Sequence, residues 1–187
     1  PGSEFSPHTH DGGEEFMVME GVFQDEHGDY PAGTYVRNPP TSRHIPRSDS
    51  GCVIFVKLWQ FDLNDRVAVT IDTNTSLFQP IIQHAAVTAM RLFEDARETV
   101  QLEFWPAGST IHRSVEQGAE VLVLAGSFEY RGQLLRRYSW LRIPIGPDSA
   151  RSRSCVMSSP SLRAIENASP YSSSSTAAQD AVRSRVG

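Results

Sequence analysis

Short apolar runs separated by turn-forming residues dominate the first 71 positions of the chain. Glycine and proline interrupt these runs at several points. The runs themselves lie at residues 16–23, 34–37, 51–61 and 67–71. Short strands that alternate with turn residues are typical of an antiparallel sandwich or barrel. We therefore predict an all-β module over residues 1–71.

The pattern changes after residue 71. Residues 85–97 have the apolar spacing of a helix of about three turns, and we interpret residues 72–98 as a linker. Strand-like runs then return, which predicts a second β module over residues 99–150. The last 41 residues include 12 serines, and so polar a composition does not form a core. We expect residues 151–187 to be disordered.

An internal repeat relates the two modules. A shift of 105 residues places residues 15–23 on 120–128 and residues 35–39 on 140–144. Such self-similarity indicates two tandem copies of one supersecondary unit. The repeat also requires a counterpart of the strand at 51–61, and the serine-rich tail shows no such pattern. The second barrel is therefore expected to be incomplete.

Composition narrows the functions that such modules could have. The net charge of −5, from 17 basic and 22 acidic residues, argues against sequence-independent binding to nucleic-acid phosphates. No apolar run approaches the ~18 residues of a membrane span, so we expect no membrane contact. Two cysteines, Cys52 and Cys155, form no disulfide framework and favour a reducing, cytoplasmic compartment. Because the chain begins at Pro1, we expect N-terminal strands of the first module to be missing.

Three histidines and a glutamate in the first module are candidate metal ligands. His8 and His10 are two residues apart, so on a strand both rings lie on the same face. Glu14 follows a glycine-rich turn, and His44 follows a pair of prolines. Three imidazoles and a carboxylate suit one Zn²⁺, Fe²⁺, Mn²⁺ or Ni²⁺ ion better than a cation that prefers oxygen alone.

The spacing of these residues resembles the two sequence motifs of the cupin superfamily. The first motif comprises Gly2, His8, His10, Glu14 and Gly21. The second comprises Pro39, Thr41 and His44, with Thr41 in place of the usual glycine. Within the superfamily, residues 8–16, 21–30 and 35–40 resemble the ChrR-like cupins, which occur in zinc-dependent anti-sigma factors and as free-standing bicupins.

The resemblance implies a cupin (jelly-roll) β-barrel in which His8, His10, Glu14 and His44 bind one metal ion. The metal is zinc in the anti-sigma relatives and iron in relatives that are dioxygenases. It also implies a bicupin whose second module is degenerate. Anti-sigma relatives carry a separate N-terminal helical domain, and nothing in this chain resembles it. The resemblance therefore does not imply that this chain binds a sigma factor.

Two classes of function are consistent with this site. The favoured one is a binding or sensing module whose metal responds to a small molecule or an oxidant. The alternative is a mononuclear non-haem iron dioxygenase that cleaves a dicarbonyl-type substrate. The sequence offers no separate general base, which favours sensing. A small-molecule ligand is expected in either case, and the oligomeric state, including a homodimer, is left open.

The second module is predicted to be structural because it lacks the ligands. At the 105-residue shift, the four ligand positions correspond to Arg113, Val115, Ala119 and Ser149. The remaining histidines are predicted to bind no metal. They are His27, His84 and His112.

Several other side chains of the first module carry weaker predictions. Glu15 is an alternative ligand to Glu14. Three acids, Asp25, Glu26 and Asp29, lack the spacing of a calcium loop and are interpreted as solvated turn residues. Cys52 is predicted to be a small buried apolar residue. Phe55 and Trp59 are assigned to the core. For Tyr35 and Arg37 two interpretations stay open: a position inside the barrel near the metal, or a role in packing or a surface salt bridge.

Overall fold

The computed structural model describes residues 1–75, 79–81, 84–111, 118–145, 162–168 and 185–186. Every regular element in these ranges is a β-strand. The strands are β1 Ser3–Glu4, β2 His8–His10, β3 Glu14–Asp25, β4 Gly28–Pro31, β5 Thr34–Asn38, β6 Ser42–His44, β7 Arg47–Ser48, β8 Cys52–Leu58, β9 Val69–Asp72, β10 Gln79–Ile81, β11 His84–Glu94, β12 Thr99–Trp105, β13 Ala119–Ala125, β14 Ser127–Tyr130, β15 Gln133–Arg136, β16 Trp140–Ile143, β17 Leu162–Ala168 and β18 Arg185–Val186. In the part of the chain so described, no helix is long and apolar enough to cross a membrane.

The chain divides into two compact units. The first comprises Pro1–Ser76 with Ala177–Gly187, and the second comprises Leu77–Thr176. In the first unit, β3 is the central strand and pairs antiparallel with β4, β5, β7 and β8. A separate two-stranded ribbon joins β2 to β6.

The core of the first unit lies on one face of β3. Phe16, Val18 and Phe23 are buried there with Val36 and Ile54. Side chains alternate between the two faces of a strand, so Glu14 shares its face with Phe16 and Val18. This alternation places a carboxylate at the end of an apolar layer, next to the β2–β6 ribbon.

The second unit is built on a six-stranded sheet in the order β10, β11, β12, β17, β13, β16. Its core contains Trp105, Val121, Val123 and Phe128, each 2% exposed or less. The helix predicted over residues 85–97 is wrong, because β11 (His84–Glu94) pairs with β12 as an antiparallel strand. Residues assigned to the linker thus include two strands of this sheet. Buried apolar residues such as Val87 and Met90 serve the sheet rather than a helix face.

The repeat found in the sequence is present in the strand pairing. In the first unit, Met17 pairs with Tyr35 between β3 and β5. Adding 105 to both numbers gives Leu122 and Trp140, which pair between β13 and β16. The hairpin of β3 and β4 corresponds in the same way to the hairpin of β14 and β15.

The structure supplies the strand that the second module was expected to lack. β17 pairs with β13 as β8 pairs with β3, and the register shifts after Val123 as it does after Val18. Disorder predicted for residues 151–187 is therefore wrong at Leu162–Ala168 and at Arg185–Val186, which form strands. The remainder of that prediction lies outside the described residues. Pairing with β12 on one side and β13 on the other makes this segment a strand, although the tail sequence around it is rich in serine.

Candidate metal centre

The β2–β6 ribbon places three histidines on one face. His8 pairs directly with His44, and His10 pairs with Ser42. Residues directly opposite each other in an antiparallel pair point to the same side. The ribbon therefore converts a two-residue spacing in β2 and a 34-residue separation to β6 into one cluster. Thr41 is the residue before β6, and its backbone N–H donates to the His10 carbonyl oxygen at 2.8 Å.

The three imidazoles converge closely enough to bind one metal ion. One ring nitrogen from each of His8, His10 and His44 lies within 4.8 Å of the others. The ring centroids are 4.7–5.1 Å apart, and the rings meet edge to face. The Nε2 atoms of His10 and His44 approach to 2.9 Å. Several nitrogen lone pairs directed at one point are a donor set typical of a transition metal.

Glu14 brings a carboxylate oxygen to the same point. Its Oε2 lies 3.5 Å from His10 Nε2 and 3.6 Å from His44 Nε2. Asn38, on the neighbouring strand β5, donates an amide N–H to this oxygen at 3.1 Å. Burial raises the pKa of Glu14 to about 7, while the Asn38 hydrogen bond acts in the opposite direction. The carboxylate thus lies in an environment that disfavours its charge unless a cation is close.

The histidine pKa values also reflect burial. Burial, together with the neighbouring His44 and His8, lowers the pKa of His10 to about 4. Burial likewise lowers the pKa of His44, although Asp25 opposes the shift. Neutral imidazole is the form that binds metal ions. At neutral pH both rings are therefore ready to act as ligands.

The nitrogens on the far side of two rings are fixed by hydrogen bonds. His8 Nδ1 lies 2.9 Å from the Ser6 carbonyl oxygen, and His44 Nδ1 lies 3.3 Å from Asp25 Oδ2. A ring nitrogen that donates to an oxygen leaves the opposite Nε2 as an acceptor. Such outer partners orient metal ligands in proteins. The interpretation of Asp25 as a solvated turn residue is wrong, because its side chain is 5% exposed.

Glu15, the alternative ligand, lies on the opposite face of β3. Its Oε1 accepts the Tyr35 hydroxyl hydrogen at 2.8 Å, and its Oε2 accepts from Gln60 at 2.7 Å. Tyr35 and Arg37 are on this same face, since they pair directly with Met17 and Glu15. Arg37 is fully buried and forms an ion pair with Asp65 at 2.8 Å. These residues therefore belong to the packing behind the strand, away from the histidines.

Of the other predictions for the first unit, some are confirmed and one is wrong. Cys52 is buried in the core as expected, and Phe55 is partly buried. The assignment of Trp59 to the core is wrong, because the side chain is 68% exposed. Trp59 follows β8 directly and has a positive φ of 68°. His27, predicted to bind no metal, lies 4.0 Å from Glu26, and both side chains are exposed.

The described part of the second unit contains no group of metal-ligating side chains comparable to the three histidines. Ala119, the counterpart of Glu14, is 6% exposed and belongs to an apolar core cluster. Its pairing partner Ile143, the counterpart of Asn38, belongs to the same cluster. Predictions for His112, Arg113, Val115 and Ser149 lie outside the described residues.

Comparison with known families finds a match to the N-terminal part of the chain. Residues 1–62 match the ChrR Cupin-like domain. The resemblance predicted from the sequence is thereby confirmed for the segment that contains His8, His10, Glu14 and His44. Comparison with curated protein sequences finds no match.

Solved structures show the same fold over most of the chain. A candidate dioxygenase from Nostoc punctiforme has a TM-score of 0.70 at 13% identity, covering 96% of this chain and 70% of that one. A variant of the salicylate 1,2-dioxygenase from Pseudoaminobacter salicylatoxidans has a TM-score of 0.62 at 13% identity, covering 90% and 68%. A cupin 2 conserved barrel domain protein from Leptotrichia buccalis has a TM-score of 0.57 at 8% identity, covering 90% and 78%. The predicted all-β cupin fold is confirmed.

Proposed function

We propose that the ChrR cupin-like domain holds one first-row divalent metal ion, zinc by preference, through His8, His10, Glu14 and His44. The observation that carries the proposal is the position of Glu14 Oε2, within 3.6 Å of two histidine Nε2 atoms. Three imidazoles and one carboxylate provide the four donors that zinc takes in closed sites. The second unit is then a structural module, and the pair forms a bicupin.

The role that these donors favour is binding or sensing in the cytoplasm. Glu14 supplies a fourth donor that a three-histidine site would leave to water or substrate. A small molecule that carries an oxygen donor would have to displace one of these four donors or add a fifth to the bound ion. Around it, Asn38 holds Glu14, and Ser6 holds His8. The partner implied is therefore a small molecule or an oxidant whose arrival changes how tightly the ion is held.

A second candidate function is favoured by Ser42. Its Oγ is buried and makes no hydrogen bond with any residue that the structure describes. Ser42 pairs with His10, so its side chain shares the face of the histidines. A buried hydroxyl without a partner is costly, and an oxygen-bearing molecule at the site would remove that cost. One protein with this fold is a salicylate 1,2-dioxygenase, and another is described as a candidate dioxygenase. Iron-dependent cleavage of a dicarbonyl-type substrate is thus the second candidate.

One set of samples separates the two functions. Protein purified without added metal is analysed for its metal content, then stripped and reloaded with Zn²⁺ or Fe²⁺. The sensing function predicts that peroxide or a chelating small molecule changes metal retention, while the iron form consumes no O₂ with a panel of β-diketones. Oxygen uptake at about 1 s⁻¹, abolished in His44→Ala, would establish the dioxygenase instead. Ser42→Ala should weaken binding of the small molecule and leave metal content unchanged.

A further inference from the structure

Two consecutive acids, at the end of β3 and in the turn after it, contact His44 and the residue that follows it. Asp25 Oδ2 lies 3.3 Å from His44 Nδ1. The next residue, Glu26, accepts the backbone N–H of Ile45 through Oε2 at 2.7 Å. Consecutive acids therefore hold the ring of His44 and the backbone beside it.

The other oxygen of Asp25 is fixed by three donors. Its Oδ1 accepts the backbone N–H of His27 at 2.8 Å and that of Gly28 at 3.2 Å. The hydroxyl of Tyr30 donates to the same oxygen at 3.2 Å. A backbone N–H can only donate, so this position requires an acceptor. The orientation of the carboxylate is therefore set by the turn before any contact with His44 is counted.

With Oδ1 occupied, Oδ2 faces Nδ1 of a buried imidazole. A carboxylate oxygen accepts, so Nδ1 must be the nitrogen that carries the hydrogen. His44 Nε2 then has a free lone pair, and it is this atom that lies near His10 Nε2 and Glu14 Oε2. The turn thus selects which nitrogen is available at the cluster.

The second unit provides an independent comparison. The pair Asp25 and Gly28 in the first hairpin corresponds to Tyr130 and Gln133 in the second. Tyr130 belongs to the apolar cluster that also contains Ala119, the counterpart of Glu14. The acid at the turn and the acid at the cluster are therefore both absent from the same copy. Nothing in the pairing frame itself requires Asp25.

We propose that Asp25 is a positioning residue that fixes the Nδ1–H tautomer of His44 and so presents Nε2 to the metal. This inference rests on the proposed metal-binding function. Asp25→Asn is the decisive variant because the turn fixes its orientation: the amide oxygen must stay with the two backbone N–H groups. Its NH₂ group then donates to His44 Nδ1, which moves the ring hydrogen to Nε2 and removes the metal-binding lone pair.

The test combines a tautomer measurement with a metal titration. In metal-free protein, the ¹⁵N shifts of the His44 ring distinguish the Nδ1–H form from the Nε2–H form. Zinc affinity is then measured by competition with a chelating dye, and folding is followed by thermal unfolding of the metal-free protein. Asp29→Asn is the matched control, since it makes the same charge change in the same hairpin and contacts Gln24 instead of a histidine.

We expect Asp25→Asn to carry the ring hydrogen on Nε2 and to bind zinc about 100-fold more weakly, with Asp29→Asn like wild type in both measurements. Wild-type zinc affinity in a folded Asp25→Asn variant would overturn the inference. If that variant does not fold, an Nε2–H tautomer of His44 in the metal-free wild type would overturn it equally. A wild-type protein that binds no zinc would refute the proposed function, and the tautomer measurement would still decide the role of Asp25.

Discussion

In the first unit Glu14 pairs with Asn38, and at the corresponding place in the second unit Ala119 pairs with Ile143. The backbone register is the same, offset by 105 residues. In the first unit the pair supports a polar cluster of histidines. In the second it packs with Tyr130, Leu135 and Phe128 in an apolar core. One arrangement of strands therefore supports either a set of ligands or a hydrophobic layer.

The polar cluster of the first unit and the apolar core of the second differ in what makes them stable. Apolar side chains stabilise the second core simply by leaving water, at roughly 25 cal/mol per Å² of buried area. The buried acids and imidazoles of the first unit gain nothing from leaving water and need partners instead. Asn38, Asp25 and Ser6 provide some of them. The polar cluster is therefore the harder of the two arrangements to stabilise, and the variants below test what its members contribute.

The largest expected effect is on metal content. The proposed ligands come together in the first unit, and the described part of the second unit contains no comparable group. Wild-type protein should therefore hold one metal ion per chain, and His10→Ala should hold essentially none after dialysis. Elemental analysis against protein concentration measures both values. His27→Ala, an exposed histidine outside the cluster, should retain the full content. Two tightly held ions per chain would show that the comparison of the units is mistaken.

Asn38→Ile gives the first unit the residue that the second unit carries. The change removes the amide N–H that donates to Glu14, so we expect zinc affinity to fall about tenfold. Thr34→Val is the control on the same strand: Thr34 is buried, and its hydroxyl makes no hydrogen bond with the described residues. Chelator competition should separate the two variants. Equal affinities would mean that Asn38 contributes packing alone.

The smallest expected effect concerns the turn before His44. Thr41 has a positive φ of 73°, which is unfavourable for a β-branched residue. At the 105-residue shift the second copy has Gly146. Thr41→Gly should raise the free energy of unfolding by about 1 kcal/mol, measured by urea denaturation.

The control for Thr41→Gly lies two residues further on. Arg43→Gly places glycine in strand β6, where no positive φ is recorded, and should lower the free energy of unfolding by about 0.5–1 kcal/mol. If both glycine variants lose stability, the strain assigned to Thr41 is not present in solution.

The sequence by itself determined the features that depend on local spacing. Two histidines at i and i+2 share a face of any strand, and a repeat of 105 residues predicts a repeated pairing. The repeated pairing follows from the tandem copies that such a repeat indicates, and the shared face follows from the two-residue period of the β-strand. Strand predictions for the first module were sound for the same reason. The helix predicted over residues 85–97 failed because a short apolar run is compatible with a buried strand as well as with a helix. Pairing with β12 makes it a strand.

Tertiary structure alone decided the partners. Glu14 and Glu15 are adjacent in sequence, and only the packing of β3 directs one carboxylate to the histidines and the other to Tyr35 and Gln60. Asp25 resembled a solvated turn residue until the hairpin brought it against a histidine 19 residues away. Strand β17 likewise gains its place from two neighbours. The physical reason is common to all three cases. A side chain's own sequence neighbours fix the face on which it lies, whereas long-range pairing fixes what it meets there.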